Sequence, residues 1–258
     1  MKKAKTLFLD IETAPKRALV WSMWKQNIGL NQLEADGYVL CWCAKWGDGT
    51  KVINGKLTKE EVANEDDSRI MAEIHELMDR ADIIVGHNGD RFDIPILNAR
   101  FVTHGLAPPS HYKTVDTLKI ARDKFKFTSN RLDALGMFLK LGRKIETGGF
   151  QLWRDVMDGQ PHAMKQMVEY CEQDVLLLED VYLTLRPWYN KHPNVAMFTD
   201  GTKRVCNACG SETIHAKGDV VTNSKVYKRY KCVDCGHEMR APYCEKDATR
   251  DATRMISI

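Results

Sequence analysis

The segment TLFLDIET at 6–13 constrains the fold more than any other stretch of the chain. Its residues alternate at the period of two that is typical of a β-strand, so Asp10 and Glu12 point to the same side. A carboxylate that ends an apolar strand costs on the order of several kcal/mol unless it is paired, hydrogen-bonded or bound to a cation. The alternative is an exposed, salt-bridged pair at the strand end. Only the other residues of the chain can distinguish this alternative from a cation-binding pair.

The strands and helices that follow are typical of a layered α/β fold. The runs 38–46 and 50–55, separated by Gly-Asp-Gly, predict a β-hairpin, whereas segment 14–37 is predicted to be irregular. Further strands are predicted at 81–86 and 113–116, and helices at 67–80, 117–125, 130–140 and 161–185, with one more carrying Ile94, Leu97 and Phe101. The residues Thr58 to Glu61 have the pattern of a capping box, which predicts a helix start there. This order predicts a mixed sheet flanked by helices.

Length and composition exclude several classes of protein. With 258 residues and 43% hydrophobic content, the chain can bury a core, which excludes a wholly disordered or fibrous protein. Its apolar runs are shorter than the roughly 18–20 residues of a membrane span, and the basic N-terminus lacks the apolar stretch of a signal peptide. We therefore expect a cytoplasmic protein that does not associate with membranes.

Two further segments place acidic side chains in apolar surroundings. Asp93 lies in HNGDRFDIPIL, where Pro95 indicates a helix start, and Asp90 competes with Asp93 as the functional acid. Tyr170 and Asp174 are four residues apart on the predicted last helix, so they share one face. Each signal alone also fits a structural role, such as a carboxylate near a helix N-terminus.

The order of these residues along the chain is specific. Asp-x-Glu on a first strand precedes Asn-x-x-x-Phe-Asp at a helix start and Tyr-x-x-x-Asp on a late helix. The set resembles the three motifs of the DEDD exonuclease superfamily, in the tyrosine branch that includes the proofreading domains of family B DNA polymerases. The resemblance covers residues 5–185, and the segments 116–122 and 129–144 also look like the family's connecting segments. Glu169 stands where the histidine branch has its histidine, which favours the tyrosine branch.

The resemblance implies a ribonuclease H-like fold with two divalent ions, Mg²⁺ or Mn²⁺, held by four carboxylates. The implied ligands are Asp10, Glu12, Asp93 and Asp174, and Tyr170 would orient the attacking water. Carboxylate oxygens are the ligands that both ions prefer. A tyrosine hydroxyl, with an ordinary pKa of about 10, suits hydrogen bonding better than proton abstraction at neutral pH.

Four residues are candidates for contacts with the substrate. In the same family the Asn and Phe of the second motif lie close to the substrate strand, which implies that Asn88 and Phe92 contact the terminal nucleotides. A turn-forming Asn88 and a core-filling Phe92 are the structural alternatives. Trp21 and Trp24 in segment 14–37 either stack on bases or are buried in the body of the protein.

Four cysteines near the end of the chain predict a metal site. They form two Cys-x-x-Cys pairs, each followed by glycine and separated by 22 residues: Cys206, Cys209, Cys232 and Cys235. Four thiolates at this spacing suit one structural Zn²⁺, and the pattern resembles a zinc ribbon. A region of about 45 residues buries too little surface to fold without such a metal. Two disulfides are the alternative, but Cys-x-x-Cys pairs of this kind indicate metal in a reducing compartment.

The other cysteines have simpler interpretations. Cys41, Cys43 and Cys171 lie on predicted core elements and are expected to be small buried residues. His237 and Cys244 are substitute ligands for the zinc, but neither improves the spacing.

Composition divides the chain into three parts. Residues 1–190 are predicted to form the ribonuclease H-like domain, 200–245 the β-rich zinc ribbon, and 246–258 a flexible tail. The net charge of +3 arises in residues 199–258, which hold 11 basic and 8 acidic side chains against 27 of each before them. Lysine and arginine alternate with tyrosine between the cysteine pairs, a pattern that suits nucleic acid but also fits a solvated hairpin or a protein-binding ribbon.

The resemblance to DEDD exonucleases, together with the residues that carry it, implies a metal-dependent 3′ to 5′ exonuclease that releases nucleoside 5′-monophosphates. The expected partners are 3′ ends of single-stranded DNA, favoured over RNA because the second motif is polymerase-like, and a replication or repair protein. Two alternatives remain open at this point. One is a catalytically silent nucleic-acid-binding or assembly module, and the other is a structure-selective endonuclease on the same scaffold.

Overall fold

A computed structural model describes residues 3–142, 148–198, 203–223 and 225–244. The chain divides into two units, one of Lys5–Tyr182 and one that holds the described residues from Leu183 onward. The predicted flexible tail at 246–258 lies outside the described residues.

The first unit contains the predicted strands and helices in their predicted order, with further short elements between them. Its strands are β1 (Thr6–Thr13), β2 (Arg17–Ala18), β3 (Leu33–Ala35), β4 (Val39–Trp46), β5 (Val52–Lys56), β6 (Ile83–Gly86) and β7 (Lys113–Asp116). Its helices are α1 (Lys59–Asn64), α2 (Ser68–Asp79), α3 (Asp93–Thr103), α4 (Thr117–Lys124), α5 (Leu132–Phe138), α6 (Phe150–Met157) and α7 (Pro161–Leu185), the last of which continues beyond Tyr182.

Five strands form one mixed sheet, in the order β5-β4-β1-β6-β7. Strand β4 pairs antiparallel with both β5 and β1, whereas β6 pairs parallel with both β1 and β7. The mixed sheet with flanking helices that the sequence predicts is therefore confirmed. Strand β1 lies in the middle, where neighbouring strands cover both of its edges.

The two faces of β1 carry different residues. Leu7, Leu9 and Ile11 are at most 3% exposed on one face. On the other face the aromatic ring of Phe8 meets that of Tyr182 edge to face, with the ring centroids 5.3 Å apart. Because Asp10 shares the side of Phe8, it points toward the face of the sheet on which α7 packs.

Local chemistry fixes two neighbouring elements. The hydroxyl of Thr58 accepts from the amide of Glu61, and the Glu61 carboxylate accepts from the Thr58 amide, which is the predicted capping box at the start of α1. On β5, a Cβ at Gly55 would overlap the indole of Trp42, so only glycine leaves room for this ring.

The structure differs from the sequence prediction between β1 and β4. Segment 14–37 contains the short antiparallel pair of β2 and β3, and the residues between these strands form an exposed loop. In this loop the Trp21 side chain is 99% exposed and that of Trp24 is 79% exposed. The alternative in which both rings are buried in the body is therefore wrong. Helix α6 is a second element that the sequence did not predict.

The second unit contains a three-stranded antiparallel sheet. It is built from β8 (Ile214–Val221), β9 (Val226–Cys232) and β10 (Glu238–Arg240), with β9 in the centre. This arrangement is the β-rich region that the cysteine spacing predicts. Among the helices in the described part of the chain, none combines the length and the apolar character of a membrane span.

Candidate functional sites

Three predicted carboxylates converge on the face of the sheet that carries α7. Carboxylate oxygens of Asp10 and Glu12 on β1 and of Asp174 on α7 all lie within 4.8 Å of one another. Asp174 is only 3% exposed, while the two strand residues are partly exposed. Asp174 is more than 160 positions away from Asp10 and Glu12 in the sequence, and the packing of α7 on the sheet brings it beside them.

A bound cation would stabilise such a cluster of carboxylates. Like charges at this separation raise one another's energy, most strongly where water is excluded. A divalent cation compensates three carboxylates and matches their oxygen donors, which Mg²⁺, Mn²⁺ and Ca²⁺ all accept. The donor set therefore fits a hard divalent ion, and the spread of at most 4.8 Å between the oxygens leaves room for one to sit among them.

Asp93, the fourth predicted ligand, is not among the three residues of this cluster, but its carboxylate contacts the strand that carries two of them. It opens α3, is 5% exposed, and accepts a hydrogen bond at 3.2 Å from the backbone amide of Ile11, the residue between the two acids of β1. Burial raises the pKa of Asp93 to about 7. The neighbouring charge of Asp116 also raises this pKa, whereas hydrogen bonds from backbone amides lower it. A nearby divalent ion would favour the charged form.

Asp90, the competing acid, has a different environment. Its carboxylate lies 2.5 Å from the ammonium group of Lys119 on α4, and the two form an ion pair at the surface. Of the two acids, Asp93 is the one whose carboxylate contacts β1. The geometry therefore favours Asp93 as the second-motif acid.

An open groove with a volume of about 590 Å³ lies beside the cluster. Asp10, Tyr170 and Asn88 are among its lining residues. Asn88 adopts the left-handed conformation, with φ of 65°, which asparagine tolerates better than most residues. Phe92 is 43% exposed, so it does not fill the core, but it is not among the described residues that line the groove.

Two residues of this region were missed by the sequence analysis. Asp116 caps α4 and accepts from the amide of Asn88 at 2.9 Å, which fixes the turn that holds the second motif. The ring of His87 lies between the hydroxyl of Thr117 and the carbonyl oxygen of Asn130, at 2.9 and 3.0 Å. An aspartate directly before the predicted helix at 117 was the available signal for the cap.

Comparison with known proteins identifies the family. A sequence profile of the RNase H superfamily matches residues 7–186, well over half of the chain. The chain belongs to the RNase H superfamily. No curated protein sequence matches it. Membership supports a nuclease-type function for this RNase H-like protein, and the carboxylate cluster lies within the matched range.

Among solved structures, the RNase H-like protein is similar to a family B DNA polymerase from the hyperthermophilic archaeon Pyrobaculum calidifontis. The TM-score is 0.51 and the sequence identity is 18%, over 71% of this chain and 25% of the polymerase. At this identity the similarity shows a shared fold. The predicted RNase H-like fold and its likeness to family B polymerases are thus confirmed, and the chain corresponds to about a quarter of that polymerase.

The second site is the predicted cysteine cluster. The sulfur atoms of Cys206 and Cys235 are 3.7 Å apart, and those of Cys209 and Cys232 are 3.6 Å apart. A tetrahedral Zn²⁺ with bonds of about 2.3 Å separates its sulfurs by about 3.8 Å, whereas a disulfide needs about 2.05 Å. The geometry fits zinc, and because none of the four cysteines forms a disulfide, the two-disulfide alternative is wrong.

The surroundings of the cluster agree with a metal. Gly210 and Gly236, each directly after a second cysteine, both have φ of 78°, as the tight turns of the two pairs require. Burial raises the pKa of Cys235 to about 11, so a cation is needed to hold it as thiolate at neutral pH. The Nδ1–H of His237 donates to the carbonyl oxygen of Pro187 at 2.9 Å, and neither His237 nor Cys244 belongs to the cluster.

The basic hairpin between the cysteine pairs is less available for base stacking than its sequence indicates. The guanidinium of Arg240 lies 3.9 Å from the ring centre of Tyr227, and that of Arg204 lies 5.5 Å from the ring centre of Tyr230. Lys228 is paired with Asp219 at 3.0 Å. These cation–π contacts cover one face of each tyrosine.

Proposed function

We propose that the protein is a 3′ to 5′ exonuclease that hydrolyses single-stranded nucleic acid with the help of divalent ions. The observation that carries the proposal is the convergence of Asp10, Glu12 and Asp174 beside an open groove in an RNase H-like fold. The motif order that resembles the tyrosine branch of DEDD exonucleases supports the direction of cleavage.

The positions of the residues support the roles proposed for them. Asp10, Glu12 and Asp174 would hold Mg²⁺ or Mn²⁺, and Asp93, whose carboxylate contacts β1, would complete the set. Two such ions, when bound, would activate water and stabilise the leaving oxygen of the phosphodiester. Tyr170 lines the same groove as Asp10, and its hydroxyl would orient the attacking water by a hydrogen bond.

The proposal extends to the substrate and the partners. DNA is favoured because both the second motif and the solved polymerase structure point to a DNA enzyme. Asn88 lines the groove and is proposed to contact the terminal nucleotide, and the exposed Phe92 lies at the start of the same helix. A replication or repair protein remains the proposed protein partner, and the cytoplasm the proposed compartment.

The zinc ribbon is proposed to hold one structural Zn²⁺ on Cys206, Cys209, Cys232 and Cys235. We further propose that residues 1–190 form the exonuclease domain and 200–245 the ribbon.

The test uses 5′-labelled linear single strands of DNA and RNA, and a closed DNA circle, with Mg²⁺ or Mn²⁺. The full chain should produce a descending ladder on a linear strand and spare the circle. The variant Asp10→Ala/Glu12→Ala should produce none, whereas Asp48→Ala/Glu60→Ala, which removes two exposed carboxylates elsewhere, should cleave like the unchanged chain.

The remaining outcomes separate the alternatives. Cleavage of the circle would replace the exonuclease by an endonuclease. Absence of cleavage together with tight, salt-sensitive binding would instead indicate a catalytically silent binding module. Preference for the RNA strand would change the substrate but leave the direction of degradation intact.

A further inference from the structure

The segment Arg122–Arg131, RDKFKFTSNR, joins α4 to α5 and borders the groove of the proposed active site. Arg122, Asn130 and Arg131 line the same groove as Asp10 and Tyr170. We refer to Arg122–Arg131 as the basic-aromatic segment. It did not enter the proposed function, because none of its residues belongs to the three motifs.

The charges of this segment are largely uncompensated. It holds four basic residues, Arg122, Lys124, Lys126 and Arg131, against a single acid, Asp123. Asp123 lies 3.5 Å from Lys124, and within the described parts of the chain the other three basic side chains have no ion-pair partner. Elsewhere in the same unit the basic groups of Lys45, Arg69 and Arg100 are each paired with a carboxylate. Free cations beside a groove suit a phosphate backbone.

The aromatic residues of the segment form a stack. The rings of Phe125 and Phe127 lie 5.2 Å apart with an interplanar angle of 26°, and those of Phe127 and Phe138 lie 6.3 Å apart at 8°. Phe138, on α5, is 47% exposed at the end of this stack. Nearly parallel rings that end in an exposed one offer a surface on which a base can stack, as in proteins that bind single strands without sequence preference.

We propose that the basic-aromatic segment holds the single strand on the 5′ side of the terminal nucleotide. Arg122 and Arg131 would contact two phosphates, and the exposed ring of Phe138 would stack on a base. The proposal rests on the proposed exonuclease function, since it assumes that the 3′ end lies at the carboxylate cluster.

The charge part is tested by binding of a fluorescein-labelled 12-mer of thymidylate over a series of salt concentrations. Every chain is full-length, carries Asp10→Ala, and is measured without added Mg²⁺ or Mn²⁺ so that cleavage does not interfere. For single strands the logarithm of the binding constant falls with that of the salt concentration by about 0.7 per phosphate contact. Arg122→Gln/Arg131→Gln should therefore reduce this slope by about 1.4.

A matched pair controls for net charge. Lys51→Gln/Lys113→Gln also removes two exposed positive charges, but Lys51 precedes β5 and Lys113 begins β7, at the end of the sheet opposite to Asp10 and Glu12. Its slope should equal that of the parent chain. Equal slopes for the two double variants would overturn the proposal. It would also be overturned if the parent chain bound a polyglutamate peptide as tightly as it binds the 12-mer.

The stacking part is tested with Phe138→Leu, which keeps an apolar side chain but removes the ring. This variant should bind the 12-mer about tenfold more weakly than the parent chain does. It should bind a 12-unit abasic backbone, which offers no bases for stacking, as tightly as the parent chain does. Phe150→Leu, which changes a similarly exposed ring on α6, should affect neither probe. An unchanged affinity of Phe138→Leu for the 12-mer, or an equal loss on both probes, contradicts base stacking.

The two proposals can fail separately. If the unchanged chain shows no cleavage while Arg122→Gln/Arg131→Gln still lowers the salt slope, the exonuclease is wrong and the binding segment stands. If the chain degrades linear strands but the slope is the same in all variants, only the binding segment is wrong.

Discussion

At the residue scale, Asp93 combines a cost in stability with a proposed role in the reaction. The pKa of the Asp93 carboxyl is about 7 in the folded protein and near its ordinary value of 3.8 in the unfolded chain. Between about pH 4 and pH 7 the folded protein therefore keeps a proton that the unfolded chain has released. Its contribution to stability is thus largest below pH 4, falls as the pH rises, and levels off above pH 7. Such groups are typical of functional sites.

Asp93→Asn should therefore stabilise the protein at pH 8 and abolish most metal-dependent cleavage. In the absence of added Mg²⁺ or Mn²⁺ we expect the free energy of unfolding to rise by about 1–3 kcal/mol at pH 8, and by much less at pH 4. Urea titrations at both values measure the difference. Asp90→Asn, which changes a surface ion pair, is the control and should show little change at either pH; a similar gain for both variants would contradict the prediction.

Trp21 and Trp24 differ from the other predicted site residues because their side chains contact almost nothing. Since they are 99% and 79% exposed, Trp21→Ala/Trp24→Ala should change the free energy of unfolding by less than about 0.5 kcal/mol for each substitution. Trp42→Ala, which removes a 3% exposed indole bonded to the carbonyl of Ile70, should cost about 3–5 kcal/mol. Thermal unfolding compares the two, and a large loss for the exposed pair would show that the loop packs on the body.

At the element scale, Asp67 connects three elements of the first unit. Its carboxylate, 0% exposed, accepts from Arg100 on α3 at 2.6 Å and from the amide of Val39 on β4 at 2.9 Å, and it lies 2.5 Å from Nε2 of His104. Asp67 also precedes α2 directly. Removal of one partner of a buried ion pair leaves the other charge uncompensated.

Asp67→Ala should therefore lower the free energy of unfolding by about 3–5 kcal/mol. The neighbouring Asp66 is exposed and accepts from the amide of Ser68 at 2.9 Å, so Asp66→Ala removes only a surface cap and should cost about 1 kcal/mol. Urea unfolding followed by circular dichroism distinguishes the two losses. Equal costs would mean that the buried pair with Arg100 contributes no more than a cap.

The elements also show why some features were predicted from the sequence and others were not. The alternation along β1, the capping box at Thr58 and the two cysteine pairs depend on residues close together in the chain, where spacing alone determines geometry. The pairing of Asp67 with Arg100 joins residues 33 positions apart, and no local pattern encodes it. The contact that distinguishes Asp93 from its competitor Asp90 is equally long-range, because the amide that donates to Asp93 belongs to Ile11 on β1, 82 positions away.

Missed elements have equally physical causes. Helix α6 has eight residues, too short for its periodicity to stand out, and only Leu152 and Val156 are buried on it. The basic-aromatic segment has an alternating Lys-Phe-Lys-Phe pattern, which was visible in the sequence, but its relation to the carboxylates depends on the fold. Binding residues that sit between motifs become recognisable only once the groove is known.

At the scale of the whole molecule, the two units owe their stability to different sources. The first unit has an extensive apolar core around its five-stranded sheet. The buried cluster of the second unit consists of Cys206, Ala208 and Cys232, with Cys209, Ile214, Cys235 and Met239 packed against it. Since four of these seven residues are the proposed zinc ligands, most of this core is the metal site itself.

Removal of zinc should therefore unfold the ribbon and spare the first unit. After chelation we expect the amides of β8, β9 and β10 to exchange rapidly with deuterium, while those of β1 and β4 keep their protection, because binding of zinc supplies the folding free energy of such small domains. Cys209→Ser should lose both zinc and protection, whereas Cys244→Ser, in the same unit but outside the cluster, should keep both. Persistent protection of β9 without bound zinc would show that strand pairing alone keeps the ribbon folded. The cysteine cluster would then have a role other than stabilising the fold.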